Sequence, residues 1–283
     1  MKTKKIYLKG KPLNHNSGLR IWYEGELLAL IKKMALGTMK SVKQFFNGET
    51  SEDFFKEQSE MIAMDDSIGS QARILVNMLS AKYKQMFSER ALSLATRMVS
   101  KANTLSKSDL KLATKTISDQ LSFKMDKLPE NVREVSKAAI AENVSLIKSI
   151  PDKYFARITN AVTKSITSGE GFKYLTEHFS KYKGISDRQA KNLAINQTRS
   201  AYNAINAQRM KAANLKMFTW LHSGGGLHPR ESHQEMNGKT YSLNKLPIVN
   251  KEQVRRGYEA PRRGLPGQEP GCGCTMMPII EVG

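Results

Sequence analysis

Apolar residues recur at helical spacing through the first two-thirds of the chain. The first such stretch carries them at Leu27, Leu30, Ile31, Met34, Val42 and Phe45. Residues three and four positions apart lie on one face of a helix, so this spacing predicts an amphipathic helix that ends at Gly48. The methionine and aromatic residues on such faces are interpreted as core residues and not as a cofactor site.

Residues that begin helices predict several more of them. Ser51 is a predicted N-cap for a short helix, and a long apolar stripe follows from residue 68 to residue 98. A capping-box pattern at Ser106 predicts that a separate helix begins there. Pro129 and Pro151 each occupy a position where a proline in the first turn opens a helix.

The pattern changes in the last third of the chain. Gly184 is predicted to end a short helix, and Ser186 is predicted to cap a helix that covers residues 186–214. Residues 217–222 are short, apolar and aromatic, which favours a strand, and residues 275–282 favour a second strand. Glycines and prolines are frequent between these two segments, which is typical of loops.

These patterns predict a mainly α fold with two parts. Residues 1–168 are expected to form an elongated body of several helices. Residues 169–283 are expected to contain the helix at 186–214 and a small, loop-rich α+β module at 215–283. A small module with many loops buries little apolar surface, so we expect polar contacts or a metal to stabilise it.

Charge is the most unusual property of the composition. The 283 residues include 45 Lys and Arg against 26 Asp and Glu, which gives a net charge of +19 and a pI near 9.8. Because a cationic protein gains free energy when it displaces counterions from phosphates, this balance favours a nucleic-acid partner. No membrane partner is expected, since no run reaches the roughly 20 apolar residues of a spanning helix. Residues 1–18 are basic and lack the apolar segment of a signal peptide.

The densest basic segment lies near the C-terminus and contains Lys251, Arg255, Arg256, Arg262 and Arg263. Glycines and prolines among these residues favour a mobile arm that contacts the phosphate backbone of double-stranded DNA. The segment has a single tyrosine and therefore no stacking platform, so we expect the contact to be independent of base sequence. The alternative is a solvated surface loop without a nucleic-acid role.

Histidines and both cysteines of the chain lie in the same C-terminal module. His228, His233, Cys272 and Cys274 have the ligand chemistry of a structural zinc site, although their spacings match no standard zinc motif. The alternative is a polar network without metal, in which His233 and Arg230 hydrogen-bond to the backbone. A third alternative is a Cys272–Cys274 disulfide, which strained geometry disfavours.

Four separated motifs between residue 169 and the end of the chain resemble those of one family. They are the helix from Ile185 to Thr198, Trp220 with Arg230 and His233, the turn Asn237-Gly238, and the closing Pro266-Gly267 with Cys272-Gly273-Cys274-Thr275. In order, spacing and residue type they resemble the head-morphogenesis (minor capsid) proteins of tailed phages, the phage Mu protein F-like family. The chain departs from the family pattern at Ile195 and Gly273, where relatives carry arginine.

The resemblance implies a minor virion component that is assembled in the host cytoplasm and lies near the portal in the phage head. The implied partners are the portal protein or the major capsid protein. Neither a small-molecule substrate nor a catalytic residue is implied. We expect Trp220, Arg230, Asn237 and Gly238 to lock the module together with His233 and the two cysteines.

Glu231 and Glu235 lie beside the histidines in the sequence, and their roles have more than one interpretation. Arg230 is expected to pair with a carboxylate of the module, such as Glu235, with a phosphate contact as the alternative. The competing function is a metal-dependent nuclease or toxin-like effector, in which His228 and His233 hold a metal and Glu231 or Glu235 acts as the base.

Overall fold

The computed structural model describes residues 6–50, 67–115, 129–224 and 229–282. Its helices are α1 (Ser17–Phe46), α2 (Ile68–Thr114), α3 (Glu130–Thr167), α4 (Gly171–Ala212), α5 (Glu231–Met236) and α6 (Lys251–Arg255). Its strands are β1 (Ile6–Lys9), β2 (Met217–Leu221), β3 (Thr240–Ser242) and β4 (Thr275–Val282). The predicted mainly α fold with a small α+β module is therefore confirmed. None of the described helices is apolar enough over sufficient length to cross a lipid bilayer.

Contacts between residues group the chain into two compact units. We call the first the sheet unit, which comprises Met1–Trp22, Ala95–Ala141 and Ala194–Gly283. The second, which we call the helical unit, comprises Tyr23–Leu94 and Glu142–Leu193. The predicted boundary between residues 168 and 169 lies inside the helical unit. The boundaries of the compact units therefore differ from the predicted boundary.

Two long helices continue through residues that were predicted to begin new helices. Ser106 is fully buried in the middle of α2 and does not begin a new helix. Pro151 lies inside α3, where its missing N–H removes one intrahelical hydrogen bond. The buried neighbours Ile147, Ile150 and Tyr154 hold that stretch of α3 in its core, and their packing outweighs the local cost of the proline. The short helix predicted after Ser51 lies outside the described residues.

The helix predicted at residues 186–214 begins earlier and ends slightly sooner than expected. Helix α4 runs from Gly171 to Ala212 and passes through Gly184, which therefore does not end a helix. Its C-terminus is closed by Asn214, which adopts a left-handed conformation with φ of 61°. The Leu215 N–H then donates to the Met210 carbonyl at 2.8 Å, as in a helix-terminating Schellman-type turn.

The helical unit contains polar and aromatic contacts at its centre. The Tyr23 hydroxyl donates to Asn143 Oδ1 at 2.9 Å, and both side chains are fully buried. This bond satisfies groups that would otherwise be costly to remove from water. The Tyr83 ring stacks on Phe155 with centroids 6.1 Å apart.

The sheet unit is built around four antiparallel strands in the order β1-β4-β2-β3. Strand β4 is central, as expected for its apolar sequence, and it pairs with β1 on one side and β2 on the other. Strand β1 was not predicted, because its four residues are exposed and its pairing partner lies at the far end of the chain. The core of this unit joins the sheet to the ends of α2 and α4 through Leu13, Leu110, Tyr202, Met210, Phe218, Trp220 and Met276.

Two glycines in α1 give a matched test of packing in the helical unit. A Cβ atom at Gly37 would lie 1.8 Å from the Tyr83 hydroxyl oxygen, and Tyr83 is only 4% exposed. We expect Gly37→Ala to lower the free energy of unfolding by about 1–3 kcal/mol, because the rigid ring must move within a packed core. Chemical denaturation followed by circular dichroism measures the change.

Gly25→Ala is the control in the same helix. A Cβ atom at Gly25 meets no other atom within 4 Å, so alanine adds helix propensity without a clash. We expect this variant to gain roughly 0.5–1 kcal/mol. Equal effects of the two substitutions would contradict the close approach of α1 to Tyr83.

Candidate functional site

The pairing of β2 with β4 brings a histidine and a cysteine face to face. In this antiparallel pair Leu221 is opposite Thr275, so the residue after β2 and the residue before β4 meet at the same end of the sheet. These residues are His222 and Cys274, and His222 Nδ1 lies 3.4 Å from Cys274 Sγ. Cys274 is buried, whereas His222 is half-buried at the edge of the site.

His233 completes the cluster from the short helix α5. His233 is 2% exposed, and its Nε2 lies 3.1 Å from the Val249 carbonyl oxygen. Because a carbonyl only accepts, Nε2 carries the proton and Nδ1 faces the sulfurs. Nδ1 lies 3.4 Å from Cys272 Sγ and 3.8 Å from Cys274 Sγ. The indole ring of Trp220 packs edge-on against the imidazole, with centroids 5.2 Å apart.

The two thiols titrate as a pair. A hydrogen bond from Cys274 lowers the pKa of Cys272 well below its usual range; burial opposes this shift, and His233 adds to it. The pKa of Cys274 is raised in turn, first by its hydrogen bond to Cys272 and then by burial. The Trp220 side chain and the Ser223 backbone act in the opposite direction on the pKa of Cys274. The cluster therefore favours one negatively charged sulfur, at Cys272.

Side chains of α4 bind the loop that carries the cysteines. Arg199 Nη1 donates to the Cys272 carbonyl at 3.0 Å, and Asn196 Oδ1 accepts from the Gly271 N–H at 2.8 Å. Asn203 Nδ2 donates to the Pro266 carbonyl at 2.7 Å. Because the loop is neither helical nor part of a strand, its N–H and carbonyl groups need these side-chain partners.

Glycine is required at Gly267, where this loop lies against Asn203 of α4. Gly267 has φ of 77°, and a Cβ atom there would lie 2.6 Å from Asn203 Nδ2.

The Cys274 carbonyl accepts from His15 Nε2 at 3.1 Å. Burial lowers the pKa of His15 to about 4, so its ring is neutral at pH 7.

The predicted turn at Asn237-Gly238 lies against β2. Gly238 has φ of 74°, and its N–H donates to the Trp220 carbonyl at 2.8 Å. Asn237 Oδ1 accepts from the His222 N–H at 3.0 Å. The turn thus holds the backbone on both sides of Leu221, next to the cluster.

The expected pairing of Arg230 with Glu235 is wrong. Arg230 Nη2 donates to the Pro270 carbonyl at 2.8 Å, which ties the start of α5 to the cysteine loop. Glu235 instead lies 3.4 Å from Arg255 and 3.9 Å from Lys251. The sequence placed these charges near one another, but only the fold decided which of them meet.

The predicted basic segment is largely folded onto the module. In addition to the two ion pairs with Glu235, Arg262 pairs with Glu259 at 2.9 Å and with Glu269 at 3.2 Å. Arg263 donates to the Leu246 carbonyl, and Arg256 ends α6 with an exposed side chain. Carboxylates therefore neutralise a large part of the local positive charge.

The structure brings together most of the residues that were predicted to act as one site. Trp220, His233, Cys272 and Cys274 are buried in mutual contact, and the remaining locking residues surround them. His228 lies outside the described residues. The supporting residues His15, Asn196, Arg199, Asn203 and His222 were not assigned to this site from the sequence. Their partners are distant along the chain, and no local pattern indicates such contacts.

Comparison with known proteins locates this site within a described family region. The family model that matches residues 156–277 is described as Phage Mu protein F like protein. A curated relative from Haemophilus influenzae, described as an uncharacterized protein, is 24% identical over 277 residues. The alignment covers 96% of this chain and 56% of the relative, so the chain spans little more than half the length of that protein. No solved structure matches the chain. The match supports the resemblance read from the motifs: residues 156–277, which carry the histidine–cysteine cluster, are similar to Phage Mu protein F like proteins.

Proposed function

We propose that this chain is a minor head protein of a tailed phage that acts in head assembly near the portal. The observation that carries the proposal is the family match over residues 156–277, together with the buried cluster that this region forms. A side-chain cluster with little exposed surface serves better as a structural lock than as a site of substrate turnover.

The proposed partners are the portal protein and the major capsid protein, and the proposed location is the virion. The helices that precede the cysteine loop supply long exposed surfaces. Large apolar side chains remain exposed at Ile21, Leu36, Ile68, Leu92 and Leu112. Exposed apolar side chains of this size supply contact area for assembly partners when they are buried.

A co-purification experiment tests the portal interaction. The tagged full-length chain is produced with the portal protein and, separately, with the major capsid protein of the same phage genome. We expect the chain to co-elute with the portal protein through size-exclusion chromatography. Recovery with the major capsid protein alone would move the chain to the shell, and recovery with neither protein would contradict the proposed place in the head.

Non-specific contact with double-stranded DNA is the second part of the proposal. The net charge of +19 supports it, because phosphate contacts release condensed counterions. In the C-terminal module, Arg256 and Arg263 are exposed and lie outside the ion pairs that neutralise Lys251, Arg255 and Arg262. These two arginines are the residues of the basic segment that we propose to meet phosphate.

Salt titration with matched variants tests the DNA contact. The affinity of the full chain for a DNA duplex is measured at several salt concentrations by fluorescence anisotropy. We expect affinity to fall steeply with salt, and the double variant Arg256→Gln/Arg263→Gln to reduce the slope of log K against log salt by about 1 per lost phosphate contact. An affinity that is independent of salt would contradict the proposal.

The control variant removes the same charge elsewhere. Lys32 and Lys33 are exposed on α1, and Lys32→Gln/Lys33→Gln lowers the net charge by the same amount. We expect its slope to match that of the unmodified chain. Equal losses in both variants would show that the overall charge, and not the module, contacts DNA.

A DNA-nicking assay on the same samples tests the nuclease alternative. Supercoiled DNA is incubated with the chain and Mg²⁺, Mn²⁺ or Zn²⁺. His233 is buried and its Nε2 is bonded to the Val249 carbonyl, so we expect no nicked product. Nicking that His233→Ala abolishes would establish the nuclease instead.

A further inference from the structure

We propose that His222, His233, Cys272 and Cys274 bind one zinc ion, which closes the module by joining the end of β2, helix α5 and the start of β4. His222 replaces the sequence-predicted His228 as the fourth ligand. The proposal concerns this site alone, and its test does not depend on the proposed role in the phage head.

The arrangement of donor atoms fits a tetrahedral ion. Among the described residues, one nitrogen of His233 and the sulfurs of Cys272 and Cys274 all lie within 4.8 Å of one another. With Zn–S near 2.3 Å and Zn–N near 2.0–2.1 Å, tetrahedral geometry separates a nitrogen ligand from a sulfur ligand by roughly 3.5 Å. The observed separations from His233 Nδ1 are 3.4 Å and 3.8 Å. These donors can therefore surround one ion with little movement.

The fourth donor is placed by the register of the sheet. His222 Nδ1 lies 3.4 Å from Cys274 Sγ, again the separation of two ligands on one zinc ion. Among the described residues it is not one of the donors that all lie within 4.8 Å of one another, so the proposal requires its ring to move toward the other three donors when the ion binds. Its backbone N–H is held by Asn237 Oδ1, which fixes the residue beside the cluster. His222 is half-buried, so an ion reaches the three buried donors from its side of the site.

The surroundings match what a zinc ion requires of its ligands. A histidine that binds metal through one ring nitrogen donates the other N–H to a carbonyl or carboxylate, which orients the ring. His233 does this with the Val249 carbonyl, at 3.1 Å. The buried indole N–H of Trp220, in the same core cluster as both cysteines, has no hydrogen-bond partner among the described residues. A zinc thiolate at Cys274 would account for this otherwise costly donor.

The experiment measures bound metal in the full-length chain. The protein is purified without chelators, and zinc is quantified by mass spectrometry of the metal. We expect about one zinc per chain, and cobalt substitution should give the intense visible bands of a tetrahedral site together with thiolate-to-metal charge transfer. Removal of the metal should lower the thermal midpoint, and added zinc should restore it.

Three histidine variants identify the fourth ligand. We expect His222→Ala to weaken zinc binding by more than the roughly 10–100-fold that loss of a supporting residue costs. His228→Ala should leave the affinity unchanged, as should the control His178→Ala, whose ring lies in the helical unit and bonds to the Tyr174 carbonyl. Loss of zinc in His228→Ala with retention in His222→Ala would overturn the assignment of His222.

The two metal-free alternatives have their own signatures. A chain that holds no zinc and gives the cobalt spectrum of the free ion, while its circular dichroism remains that of a folded protein, would overturn the proposal in favour of a thiol–imidazole network. A mass lower by two hydrogens, restored by reductant, would indicate a Cys272–Cys274 disulfide. Because these measurements use the unmodified chain, they do not depend on whether a ligand variant folds.

Discussion

The register between β2 and β4 is the constraint on which the C-terminal module depends. Since Leu221 is opposite Thr275, the chain on either side of this pair places Trp220, His222 and Cys274 together. A shift of one residue would turn these side chains to the opposite face of the sheet. The buried imidazole and thiols would then lose their partners, and polar groups buried without partners are costly. Apolar packing and the contacts of the buried imidazole and thiols therefore favour the same pairing of β2 with β4.

Helix α4 links this pairing to the rest of the sheet unit. Three of its side chains bind backbone groups of the loop that precedes β4: Asn196, Arg199 and Asn203. The loop thereby gains the hydrogen bonds that regular structure would have supplied. The family match begins before α4 and ends within β4, so it includes both sides of these contacts. The matched region therefore contains both the loop before β4 and the α4 side chains that hydrogen-bond to it.

Charge has two roles in the chain that composition alone does not separate. In the C-terminal segment, Glu235, Glu259 and Glu269 pair with the basic residues and help to fold it onto the module. The exposed pairs, which involve Glu235 and Glu259, individually contribute little stability, because water and salt screen them. The excess positive charge is carried largely by other parts of the chain. A basic segment in a sequence therefore marks a nucleic-acid contact only when its cations are free of carboxylate partners.

The sequence by itself determined the mainly α class, the strands β2 and β4, and the residue types of the site, because periodicity and ligand chemistry are local properties. Tertiary structure decided the rest. Helices pass through Ser106, Pro151 and Gly184 because burial along a long helix outweighs a local preference for ending it. Strand β1, the bond from Arg230 to the Pro270 carbonyl and the place of His222 beside Cys274 required pairing between distant segments. Contacts of that kind depend on how the chain closes in space, and no local pattern of residues encodes them.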